Sequence, residues 1–176
     1  MTRHLTRTIV IGVAATTGVV ALMLAPRSAS ADRHHGHCEA VSGELVEDPA
    51  GAANCPTGHP GCFTGGIDGH NLHATTLFFG EGAAEAPPAS PNWFSYSGVT
   101  TYTTQHGSFT TRETGIVNAD AIPAAQPEGA TASLSMEVIT SGTGEYANAS
   151  GYIFVNGFSD DNAHVVSEIT GRICTP

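Results

Sequence analysis

The residues best suited to chemistry are carboxylates set within alternating segments. Glu113 lies in a run from Phe109 to Val117 in which Phe109, Thr111 and Glu113 share one face and Arg112 points to the other. A carboxylate turned into an apolar lumen loses its hydration, which disfavours the charged form and raises its pKa. Phe78, Tyr96 and Met136 fall on aromatic or apolar strand faces. With Glu113 they are expected to line a small apolar cavity holding one acid. Nucleophilic hydrolysis is not indicated, because Gly-x-Ser-x-Gly is absent and no Ser/His/acid set stands out by spacing. Arg172 shares a face with Cys174 and is expected in solvent.

A second chemistry depends on processing. Arg3 and Arg7 precede an apolar run from Ile9 to Ala25, and Ala29-Ser30-Ala31 supplies small residues for cleavage. This is the pattern of a secretory signal over residues 1–31, removed after Ala31. The new terminus is then Asp32-Arg33-His34. Its amine, two deprotonated amides and the His34 ring make a square of four nitrogens suited to Cu(II) or Ni(II). No cofactor is required elsewhere, and a metal bound there would be adventitious. Residues 32–37 read as a His-rich, disordered leader. Residues 38–176 read as one domain. No Cys stands at the cleavage site, so no membrane anchor is expected after cleavage, and the protein is expected outside the cell.

Charge narrows the partners. The chain has six Lys+Arg, all of them Arg, and sixteen acidic residues, for a formal charge of −10. Three of the arginines precede residue 32, leaving three Arg against sixteen acids, or −13, in the exported part. Such a surface repels phosphate backbones and anionic membranes, so no nucleic-acid partner is expected.

All four cysteines lie in the exported part, and an even count in a secreted chain reads as two disulfides. Three connectivities are open. The expected one joins Cys55 to Cys62 across a Pro/Gly-rich bend and Cys38 to Cys174 between the two ends.

The elements that position these residues alternate with period two. Strands are expected over Glu39–Val46, Phe63–Ile67, Leu72–Phe79, Trp93–Thr104, Phe109–Val117, Ala132–Ile139, Tyr146–Phe158 and Val165–Cys174. Asp68-Gly69 reads as a tight turn. Segments 80–91 and 119–129 read as Ala/Pro loops, the first long enough to form a rim. In the sixth strand Leu134, Met136 and Val138 share one face, with Ser133, Ser135 and Glu137 on the other. No sustained helical spacing appears. The pattern predicts an all-β, eight-stranded antiparallel up-and-down β-barrel, whose interior is either filled or holds one small ligand.

The run Gly142-Thr143-Gly144-Glu145-Tyr146-Ala147-Asn148-Ala149-Ser150-Gly151 reads as a Gly-rich hairpin, with no Lys and no following helix to make a phosphate loop. Together with Cys55–Gly69 and Glu168–Cys174, it resembles segments of the allene oxide cyclase-like and dirigent-like barrel proteins, among them small secreted bacterial members. The resemblance implies an eight-stranded barrel. Members of that superfamily include cyclases and isomerases that fold a hydrophobic substrate in the barrel, and proteins that guide a coupling reaction with cavity acids and aromatics. Their functional residues do not map onto this chain one by one. Three functions follow as expectations: binding of a small apolar molecule in the lumen, cyclase- or isomerase-type catalysis there, or a structural role for a filled barrel.

Overall fold

The computed structural model describes residues 36–51, 53–55, 61–84, 92–122, 130–160 and 162–176. The strands are β1 (His37–Pro49), β2 (Cys62–His70), β3 (His73–Ala84), β4 (Trp93–Thr104), β5 (Gly107–Ile122), β6 (Ala130–Gly142), β7 (Ser150–Ser159) and β8 (Val165–Thr175). They form a closed barrel in sequence order, every neighbouring pair antiparallel. Among the described residues the only helical turn is Gly144–Tyr146. The strands are rich in Thr, Val, Ile and aromatic residues, which fit a pleated, half-buried surface.

Closure removes both sheet edges. It is fastened where β1 meets β8: Cys38 and Cys174 are register partners and form a disulfide. Cys55–Cys62 is the second disulfide. Pairing continues to His37↔Thr175, so β1 takes in His37, the last residue of the expected His-rich leader. The ladder and the bridge beside it hold that residue extended. Residues 1–35, with the expected signal and the metal-binding terminus Asp32-Arg33-His34, lie outside the described residues.

The Asp68-Gly69 turn is a correction. Both residues lie within β2, Asp68 opposite His73 and Gly69 opposite Gly43. The chain reverses at Asn71 instead, which adopts a φ of 59° and whose side-chain amide donates to the Ala40 carbonyl at 3.0 Å. Asn tolerates that conformation, and its amide ties the turn to β1. Strands also run past their expected ends into the Ala/Pro segments. β3 does so through a register shift between Gly80 and Gly82. The intervening Glu81 is carried outward, where its carboxylate pairs with the Arg112 guanidinium.

The barrel is filled at one end. Tyr102 and Phe109 are fully buried and stack 4.6 Å apart at 13°, and Phe109 packs on Tyr146 with ring centroids at 5.0 Å. Val41, Leu72, Ile139, Ile153 and Ile173 complete this plug. Each fully buried side chain of this size stabilises by about 1.5–3 kcal/mol. The short connections β2–β3, β4–β5 and β6–β7 lie at this end, and the other four strand connections leave from the opposite end.

Candidate functional site: a lumen with three carboxyls

Toward the opposite end the interior opens into a cavity of about 470 Å3. Its walls include Phe63, Phe78, Phe94, Tyr96, Leu45 and Val155. Three glutamates reach into it: Glu47 from β1, Glu113 from β5 and Glu137 from β6. All three are buried, Glu137 to 1% exposure. Glu113 and Glu137 are direct register partners on adjacent antiparallel strands, so their side chains leave the sheet on the same side.

Each carboxyl is held by hydroxyls. Thr76 donates to Glu47 at 2.6 Å. Tyr96 donates to one oxygen of Glu113 at 2.6 Å, and Thr100 to the other at 3.1 Å. Tyr102 reaches both oxygens of Glu137 at 2.8 and 2.7 Å, and Thr111 donates to the second at 2.6 Å. Burial sets the electrostatics. It pushes Glu47 up to about 7, helped by the charge of Glu113 and opposed by the Thr76 bond. Burial, then the Glu113 charge, pushes Glu137 up to about 8 against the bonds from Thr111 and Tyr102. The hydroxyls of Tyr96 and Tyr102 are raised for the same reason, burial first and neighbouring carboxylates second. Both tyrosines are therefore neutral donors throughout the ordinary pH range.

The structure brings Glu113, Tyr96 and Phe78 together: Tyr96 bonds Glu113, and its ring meets Phe78 edge-on at 6.0 Å. Met136 is a correction. It is 46% exposed and sits on the outside of the barrel. On β6 the face carrying Ser133, Ser135 and Glu137 turns inward, and Leu134, Met136 and Val138 turn out. The register decides this, since Glu137 faces Glu113 and Ile139 faces Thr111, both inward residues of β5. Arg172 is exposed, as expected.

Glu47 and Glu137 were not among the expected site residues. The available signal was parity: Glu47 shares its face with Val41 and Leu45, and Glu137 shares its face with Ile139, all of them buried. Ser167, on β8, also lines the cavity at 1% exposure, and its hydroxyl has no hydrogen-bond partner among the described residues. No group of three or more His, Cys, Asp or Glu among the described residues is placed to hold a metal ion. No described helix is long and apolar enough to cross a membrane.

No protein-family model, curated protein or solved structure matches this chain.

Proposed function

We propose that this protein is a secreted barrel that binds a small, mainly apolar molecule in its lumen. The observation that carries the reading is the unfilled 470 Å3 space, walled by aromatic rings and ending on buried carboxyls. That volume lies within the range of small-molecule sites, and a few convergent polar groups in an apolar pocket are what fix a ligand's orientation. It weighs against a barrel packed solid by side chains. Two disulfides and the signal-like N-terminal residues support export to an oxidising compartment. The resemblance to allene oxide cyclase-like and dirigent-like proteins is part of this proposal, and the up-and-down order of eight strands agrees with what it implies.

A catalytic reading has one observation in its favour. Glu47 and Glu137, raised to about 7 and about 8, sit near the pH at which a general acid or base works best. A cyclase or isomerase would use them in the same space.

The test is native mass spectrometry of protein purified from its own culture medium, followed by displacement of an apolar fluorophore. A co-purifying small molecule, or a fluorophore bound with 1:1 stoichiometry, is expected. Absence of both overturns the proposal. Chemical change of the co-purified molecule on incubation with fresh protein would move the reading to catalysis.

A further inference from the structure

Five hydroxyls, those of Thr76, Tyr96, Thr100, Tyr102 and Thr111, are spent on the three luminal carboxyls. Hydrogen bonds donated to a carboxylate favour its ionised form. Burial opposes that charge, and no Lys, Arg or His is among the described residues lining the cavity to hold it. A buried carboxyl without a charged partner gives up its charge by keeping a proton. A cation from outside the chain would supply the partner that the protein does not.

The unfilled 470 Å3 beside the three carboxyls is an independent observation, since it leaves room there for a group from outside the chain. Ser167 lines it at 1% exposure, with its hydroxyl closed off from solvent and without a partner among the described residues. The three glutamates are not grouped as metal ligands are. A larger cation with several donors, or with charge spread over its substituents, fits such a spacing better than a bare ion. The rings of Phe63, Phe78, Phe94 and Tyr96 present faces and edges on which both an apolar body and a cationic head are stabilised.

We propose that the lumen selects an amphiphilic organic cation, a protonated amine carried on an apolar body, over neutral and anionic molecules of the same shape. This rests on the ligand-binding reading above and names the class of its ligand. The groups that face the amine are Glu47 with Thr76, Glu113 with Tyr96 and Thr100, and Glu137 with Tyr102 and Thr111. A cation placed among them draws Glu47 and Glu137 into their ionised forms, so binding near neutral pH releases protons to the solvent.

The experiment is isothermal titration of the purified protein at pH 7 with three probes of one shape: 1-naphthylmethylamine, 1-naphthylmethanol and 1-naphthoate. Each is run in two sulfonate buffers of different ionisation enthalpy. Charge-assisted contacts should make the amine bind about 10- to 100-fold tighter than the alcohol. The naphthoate should bind weakest. Only the amine should show a heat that differs between buffers in the sense of proton release. Glu137→Gln should erase most of the amine's advantage and leave the alcohol's affinity within about threefold. Should that variant not fold, Glu47→Gln, reaching the lumen from β1, carries the same expectation. An alcohol that binds as tightly as the amine, with no proton release from either, overturns the inference and leaves the ligand-binding reading standing. Failure of all three probes overturns both.

Discussion

Glu47 and Glu137 stand between two opposed influences: hydroxyls that favour their charge and burial that opposes it, with burial the larger. Both bind a proton more readily folded than unfolded, with values raised from an ordinary 4.5 to about 7 and about 8. They therefore contribute stability that is fully present below pH 4.5, falls as pH rises through 7 and 8, and is lost above. For Glu47, with a value near 7 against 4.5, the loss is about 3 kcal/mol, since each tenfold change in proton affinity is worth about 1.4 kcal/mol. Urea unfolding at pH 5 and pH 9 should show the wild-type protein losing about that much more than Glu47→Gln. Parallel profiles for the two proteins would place Glu47 in water. The neighbouring tyrosine is held from another direction. Tyr96 lies opposite Gly115, where an added Cβ would stand 2.5 Å from the ring, so the glycine gives the phenol room to reach Glu113.

The strands show how far alternation can be read. Trp93–Thr104 was legible to the residue, because Phe94, Tyr96 and Tyr102 all mark one face and the strand is bounded by turn residues. β6 alternates just as cleanly, but ranking its two faces by hydrophobicity picks the outer one. Leu134, Met136 and Val138 face out and Ser133, Ser135 and Glu137 face in, because the pairing with β5, a non-local fact, fixes the parity. The same register placed Glu137 in the site and removed Met136 from it. Strand ends were missed where Gly and Ala carry no side-chain signal, as at Gly80–Ala84, and where a glycine crossing at Gly43 and Gly69 imitates a turn. The corrected facing has a mutational consequence. Met136→Ala should cost less than about 1 kcal/mol, as for a surface position, whereas Ile139→Ala, three residues on and 8% exposed, should cost about 2–4 kcal/mol. Comparable losses in thermal or urea unfolding would mean that β6 is turned the other way. Outward-facing Met136 also has company: Leu134, Val138, Tyr152 and Phe154 sit on the same outer surface of β6 and β7.

At the scale of the molecule, one covalent closure matters more than the other. Cys38–Cys174 spans 136 residues and Cys55–Cys62 spans seven. On a chain-entropy account the long bridge contributes about 4–5 kcal/mol and the short one about 2–3. The variant Cys38→Ser with Cys174→Ser should therefore unfold at clearly lower urea than Cys55→Ser with Cys62→Ser. The reverse order would mean that β1 and β8 are held by their ladder alone. The same seam has a consequence for handling the protein. β1 begins and β8 ends beside the plug, with His37 opposite Thr175, while Val165, at the other end of β8, lines the cavity. The described strands thus start and finish at the end away from the cavity. Fused or immobilised through Pro176, the barrel is anchored on its plugged end. A sensor surface or display scaffold attached there keeps its tether clear of the cavity end.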